Sequence, residues 1–375
     1  MSERTPSLGH ALSFWISMFF VPLLAISAAY GGWALLLVPL YGWFLTPLMD
    51  AVLGPDPSNM SIAEDSPKLR WYNSVTLVWP VVQVAMLIGV VMVASWGTHL
   101  STTDKVLLAV VTGIVTGSVG INYAHELIHQ TNRLERALGE LLLVSVIYGH
   151  FKSEHILVHH RYVGTPRDPV TAKYNENFYA FFARCVPQQF VSAWKAEAAL
   201  LRRRGLSPWH RSHPYWRYGA GSGAFMLVAW MIGGWFGVGF FVLQALVAIL
   251  HLEVVNYIEH YGLVRKHLGD GKYEHVHPRH SWNAAHLFSN FVLINLQRHS
   301  DHHFKPSRRF PLLQTYEESE APNLPLGYPL MILMALVPPL WARHMNPAVD
   351  DWRARYYPEV TDWTPYNTRS TPLPR

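Results

Sequence analysis

Cysteine, charge and cofactor-binding motifs are all scarce in this chain of 375 residues. A single cysteine, Cys185, excludes an intrachain disulfide and a thiolate metal site. There is no Cys-x-x-Cys pair, no glycine-rich dinucleotide fingerprint after a strand and no flavin motif. Any electrons the chain uses must therefore come from outside. Only 15% of residues are charged, while 50% are hydrophobic and 15 are tryptophan. That balance excludes an ordinary soluble domain and fits a polytopic membrane protein. No internal repeat is visible, and nothing suggests a nucleic-acid partner.

What is abundant is apolar length. A membrane-spanning helix needs about 20 mostly apolar residues. By that test the chain is all-α, with six transmembrane helices at about 11–30, 32–49, 72–97, 105–125, 218–236 and 238–260. If the turns at 29–32, 97–105 and 233–239 share one side, Lys105 is the only basic residue there. The other 29 of the 30 Lys and Arg lie opposite, with both termini. The positive-inside rule makes that basic side cytoplasmic. The expectation is a single integral membrane domain, in contact with the bilayer throughout. Segments 125–217 and 260–350 would form a cytoplasmic helical cap, and 356–375 an extended tail. The proline-interrupted apolar segment around 326–341 reads as a helix lying on the surface. Ser27-Ala28-Ala29 loosely resembles a signal-peptide cleavage site, but the apolar run is too long and a second span follows at once. Gly113-x-x-x-Gly117 would let two helices approach closely.

Nine of the 21 histidines fall into four clusters. They are His125 and His129; His155, His159 and His160; His260; and His299, His302 and His303. Residues i and i+4 share a helical face, which pairs His125 with His129, His155 with His159 and His299 with His303. Adjacent residues differ by about 100° around the axis. The tandem pairs His159-His160 and His302-His303 thus suit two neighbouring ions better than one. Each cluster also carries a carboxylate: Glu126, Glu154, Glu259 or Asp301. These four are expected to accept the second N–H of the ligating imidazoles, fixing their tautomers. Acids inside a membrane are costly, so Glu253 and Glu259 are not filler. Isolated histidines elsewhere read as interfacial anchors. The His125-Glu-Leu-Ile-His129 run alone also matches a zinc-protease pattern, which would leave six clustered histidines unexplained. A metal transporter is a further alternative, although transport sites sit near the midplane and these clusters hug one face.

Four motifs carry a family resemblance: His125–His129; Glu154-His155-Ile-Leu-Val-His159-His160; Asn256-Tyr257-Ile-Glu259-His260-Tyr261-Gly262; and Leu296-Gln297-Arg298-His299-Ser-Asp301-His302-His303. Together they closely resemble those of AlkB-type alkane 1-monooxygenases, from about residue 12 to near Asp351. The first three histidine boxes are loosely shared with membrane fatty-acid desaturases and xylene or fatty-acid hydroxylases, which remain the alternative reading. Gln130 and Val158 depart from the usual Lys and Gly without removing a ligand. The resemblance implies a multi-pass enzyme of the bacterial inner membrane with two iron ions held by the nine histidines. Dioxygen would be the co-substrate, and a medium or long n-alkane would become a primary alcohol. An unactivated C–H bond is beyond acid–base or Lewis-acid chemistry, so zinc, which has no redox chemistry, does not suffice.

The resemblance also implies rubredoxin as electron donor, fed by a rubredoxin reductase. Rubredoxins are typically acidic, and Arg202, Arg203, Arg204, Arg308 and Arg309 are candidates to steer one. An alkane has no polar handle, so its end must be selected by the shape of a channel. Gly42, beside Trp43, is a candidate for room along that channel.

Overall fold

Uncharged apolar runs fold as long helices because each backbone N–H must find its acceptor within its own segment where water is absent. In a computed structural model describing residues 3–61 and 68–367, the chain is mostly helical. Helices α1 (Leu8–Tyr30), α2 (Gly32–Leu53), α3 (Leu69–Trp96) and α4 (Thr102–Ile128) come first. Shorter helices α5 (Arg133–Val144), α6 (151–162) and α7 (Phe178–Arg203) follow, and then α8 (Pro214–His260). Beyond α8 lie α9 (Leu287–Val292), α10 (His299–Phe304), α11 (Tyr328–Ala335) and α12 (Pro338–Tyr356). Strands are minor: Glu3–Arg4 pairs in parallel with Asn59–Met60, and His267–Gly269 antiparallel with Lys272–Tyr273.

Among the described residues, five helices (α1 to α4 and α8) are long and apolar enough to cross a membrane. The 47-residue α8 is not straight. Gly233 and Gly234 leave helical geometry, Gly234 at a φ of 58° that a side chain would oppose. A Cβ on Gly237 would collide with the Ala229 carbonyl, and the rings of Phe225 and Phe241 stack at 5.9 Å. In a straight helix those two rings would be about 24 Å apart. The chain therefore folds back on itself at the glycine pair. Tyr30, Trp33, Trp96 and Trp235 are all exposed near this turn and the turns joining α1 to α2 and α3 to α4, as expected of aromatic residues at a membrane–water boundary.

Local chemistry fixes the helix starts. Ser101 and Asp104 form a reciprocal capping box on α4, and Asn132 and Asn177 cap α5 and α7. The glycines of α4 allow close packing against α8. A Cβ at Gly113 would lie 2.5 Å from the Gln244 carbonyl oxygen of α8, and one at Gly117 2.9 Å from Cβ of His251. Buried polar groups pin the same seam: Thr116 donates to Gln244 Oε1 (3.0 Å), whose amide donates to the Ser145 carbonyl (3.1 Å).

Two expectations change at the C-terminal end. The segment around 326–341 is not a surface-lying helix. It breaks between α11 and α12, and α11 buries Tyr328, Met331, Ile332 and Ala335 against α8. Its apolar residues point all round, which suits an interior helix rather than an amphipathic surface one. The part of the expected extended tail that is described also packs back. Tyr357 is buried, its hydroxyl donates to Glu274, and the Trp363 ring lies tilted against that of Trp352 at 6.3 Å. Residues 368–375 lie outside the described residues.

Candidate metal centre

All nine clustered histidines converge. His125 and His129 end α4 and follow it, His155, His159 and His160 lie on α6, His260 closes α8, and α10 supplies His299, His302 and His303. They form two groups. Nitrogens of His125, His129, His155, His160 and His302 lie within 4.8 Å of one another, and so do those of His159, His260, His299 and His303. Each tandem pair is divided: His160 and His302 enter the first group, His159 and His303 the second.

One pairing departs from the helical expectation. The i,i+4 spacing pairs His155 with His159, but the two enter different groups. Residues His155–His159 form a π turn, in which the His160 N–H bonds to the His155 carbonyl five residues back. The wider turn makes i and i+5 neighbours, so His155 meets His160, with Nε2 atoms 2.9 Å apart. Single π turns recur at functional sites. Two more occur nearby, at Tyr41–Leu45 and Thr116–Ile121.

The donor set fits metal ions. Within the first group the Nε2 atoms of His155, His160 and His302 form a triangle with sides of 2.9, 3.0 and 3.4 Å. In the second, His303 Nε2 lies 2.9 Å from that of His299 and 3.2 Å from that of His159, and His299 lies 3.1 Å from His260. Imidazole nitrogens bound at about 2.1 Å to one ion are spaced about 3.0–3.4 Å apart in octahedral or tetrahedral shells. Burial holds His155, His160, His299, His302 and His303 well below the usual imidazole range, and neighbouring imidazoles push the same way. Burial takes His129 down to about 3. Neutral rings turn lone pairs towards one another, and three lone pairs in a triangle cannot all be hydrogen bonds. A cation between them resolves the conflict.

The four carboxylates play unequal parts. Glu259 Oε1 lies 3.3 Å from His299 Nδ1. Asp301 instead accepts both contacts from Arg308 Nη1 (2.6 Å), the Tyr316 hydroxyl (2.5 Å) and the Gln314 N–H (3.0 Å). Glu126 accepts from Gln130 Nε2 (2.9 Å) and the Phe310 N–H (3.2 Å), so it ties α4 to the segment after α10. Glu154 is fully buried with neither oxygen hydrogen-bonded, and burial holds its carboxyl well above the usual range. The carboxylate that does hold a clustered imidazole from behind is Asp168. Its Oδ2 accepts from His159 Nδ1 at 2.9 Å and from the Thr171 hydroxyl at 2.7 Å, with both partners of the His159 contact buried. Asp168 lies eight residues past the histidine run in a Thr-Pro-Arg-Asp-Pro loop. Its sequence signal was only a carboxylate in a loop beside the cluster.

An apolar cavity of about 40 Å³ adjoins both groups. His125, His155 and His299 line one end, Gly117, Ser118, His251 and Leu252 the other, with Ile121, Val255, Leu296 and Ile332 between. From Gly117 to His125 along α4, and from His251 to Glu259 along α8, the rise is about 12 Å, so the cavity runs from the histidines towards the membrane-spanning segments. Trp43 reaches it indirectly, its ring 5.8 Å from that of His251, which bonds Ser118 at 3.0 Å. Gly42 points elsewhere: a Cβ there would meet only Phe20, at 3.9 Å. Arg308 is tied to Asp301 and Arg309 to Glu135, whereas Arg202, Arg203 and Arg204 are exposed at the end of α7.

Comparison with known proteins gives the family of the chain. The family model for fatty acid desaturases matches residues 105–334, which contain all nine histidines. Alkane 1-monooxygenase 2 of Pseudomonas aeruginosa is 38% identical over 370 residues, covering 95% of this chain and 92% of the relative. Alkane 1-monooxygenase 2 of Alcanivorax borkumensis is 38% identical and covers 90% of each chain. The xylene/toluene monooxygenase hydroxylase component of Pseudomonas putida is 32% identical over 64% of each. Identity of this level along nearly the whole length, with a family model that matches more than half of the chain, means that the chain belongs to the alkane 1-monooxygenases of the fatty acid desaturase family.

Proposed function

We propose that this chain hydroxylates the terminal methyl of medium or long n-alkanes to primary alcohols with dioxygen, at two non-haem iron ions held by the nine histidines. The observation that carries the reading is the apolar cavity that opens on both imidazole groups at one end and on membrane-spanning helices at the other. The relatives' names support an alkane as substrate. The groups of five and four would hold one iron each. When bound, the irons supply the redox chemistry with dioxygen that breaking an unactivated C–H bond requires.

The chain's own residues do the rest. Desolvated imidazoles present lone pairs without first losing protons, and Asp168 fixes the tautomer of His159. Ile121, Val255, Leu296 and Ile332 bury the alkane end, worth about 0.8 kcal/mol per methylene. They also keep bulk water from the histidines. Since nothing in the cavity bonds to an alkane, shape alone determines which carbon reaches the centre.

The same proposal includes topology and partners. The chain would be one integral domain of a bacterial inner membrane with six crossings, α8 contributing two on either side of Gly233–Gly234. Both termini and the centre would be cytoplasmic, and reduced rubredoxin would deliver electrons. Metal analysis of detergent-purified protein, with gas chromatography of products from octane, dodecane and hexadecane, tests the core claim. The expected result is two irons per chain and 1-alkanols. A desaturated acyl product in place of alkanols would move the chain to the desaturase reading.

A further inference from the structure

A centre that consumes electrons, in a chain without a flavin or thiolate cluster, needs a docking surface where its ligands come nearest to the outside. An open groove of about 590 Å³ lies between α6 and α7. Its floor is Leu157 and Val158, the outer side of the π turn whose inner side carries His155 and His159. Its far wall is one face of α7, where Lys195, Ala199 and Arg203 recur at helical spacing. Arg161, adjacent to the ligand His160, and Arg167 complete the rim, their guanidinium groups flanking the Tyr162 ring at 5.2 and 5.1 Å. Four cations thus surround an aliphatic floor, and no Asp or Glu lines the groove.

The other basic pair near the centre is differently placed. Arg308 and Arg309 are each committed to a buried carboxylate, Asp301 and Glu135. Their charges are compensated within the fold. The groove combines a cationic rim with an apolar floor one residue from His159 and two from His155 and His160, which is the pattern of an electrostatically steered protein interface.

We infer that this groove, framed by Arg161, Arg167, Lys195 and Arg203, is the docking site for the acidic electron-carrier protein. The inference rests on the reading of the chain as a monooxygenase supplied by such a carrier, and it assigns the surface. Negative side chains of the carrier would meet the rim cations while its apolar centre covers Leu157 and Val158, next to His159 and His160.

The test uses the full-length protein in detergent with reduced rubredoxin as the probe. In an Arg161→Glu/Lys195→Glu double variant, altered only on the rim, the KM for rubredoxin should rise about tenfold or more with kcat little changed, and its dependence on salt should flatten. Bound metal should match the wild type, which shows that the variant is folded. An Arg202→Glu/Arg204→Glu variant, altered at the same helix end but outside the groove, should keep the wild-type KM. An unaltered KM in the groove variant, or an equal rise in the second variant, overturns the assignment. Failure of rubredoxin to reduce even the wild type removes the electron-donor reading itself and the groove with it, which distinguishes the two failures.

Discussion

His155 and His160 face each other with their Nε2 atoms 2.9 Å apart across a π turn, while His159, between them in sequence, turns to the opposite group. One stretch of chain thereby supplies both imidazole groups. The groups differ in size, and that makes their responses to ligand loss unequal. Replacing His159 with alanine leaves three donors in its group, and replacing His160 leaves four. Both changes should weaken metal binding beyond the ~10–100-fold typical of losing an outer partner, and His159→Ala should weaken it more. Chelator competition followed by metal analysis measures this. Equal retention in the two variants would contradict the division into five and four.

Asp168 gives the second prediction. It is the only carboxylate among the described residues that hydrogen-bonds a clustered histidine, at 2.9 Å from His159 Nδ1. Asp168→Asn removes the charge that fixes the tautomer, and metal affinity or turnover should fall about 10–100-fold. Asp301→Asn should act differently, because Asp301 anchors Arg308 and Tyr316 rather than a histidine. Its expected effect is a lower melting temperature with a smaller change in metal affinity.

That contrast marks how far the sequence could be read. The convergence of the nine histidines was legible because histidines at short helical spacings, in four separate runs, supply the number of donors that two metal shells would demand. Which carboxylate stands behind which ring was not, because proximity in sequence does not set side-chain direction on a tight turn. Asp301 sits between two clustered histidines and points away from both, while Asp168 returns through a loop. The π turn was equally hidden: Ile156, Leu157 and Val158 would be compatible with an ordinary helix. The break between α11 and α12 was visible in Pro338 and Pro339, but the burial of α11 was not. Its uniform apolarity suits a lipid surface or a core, and only packing against α8 decides between them.

Acid should destabilise the segment between α8 and α9 through Glu274 and His280. His280 is buried, receives the His277 N–H on Nδ1 (2.9 Å) and meets Tyr357 at 2.8 Å through Nε2. Burial pushes its pKa down to about 4, against the attraction of Glu274. Burial acts upward on Glu274, but hydrogen bonds from His280, the Lys266 N–H and Tyr357 outweigh it and hold the carboxyl well below its usual range. Both folded-state pKa values lie below their unfolded ones, so the folded protein binds fewer protons than the unfolded chain. Stability is complete above about pH 6.5. It declines through the His280 window down to about pH 4, by on the order of 3 kcal/mol, and declines further as Glu274 is protonated. Melting temperatures in detergent between pH 7.5 and 4 should fall less steeply in His280→Gln than in the wild type. Parallel slopes would show that acid acts elsewhere, for instance through the metal ligands.

The cavity makes the last prediction, and it separates shape from metal chemistry. Ile332 on α11 lines it between the histidine end and the α4–α8 seam and belongs to neither ligand group. Indole in place of its side chain would occupy the small space next to His125 and His299. Overpacking of this kind costs about 1–3 kcal/mol in a rigid core, so Ile332→Trp should remain folded with its metal content unchanged. Alkane hydroxylation should nevertheless drop sharply, because the chain end can no longer approach the centre. Gly42→Trp is the matched control. Its Cβ direction leads to Phe20 and not to the cavity, so the chain-length profile should stay near that of the wild type. Equal losses in the two variants would indicate general strain in the bundle. A loss confined to Ile332→Trp, with full metal, places the alkane where the apolar wall meets the imidazoles.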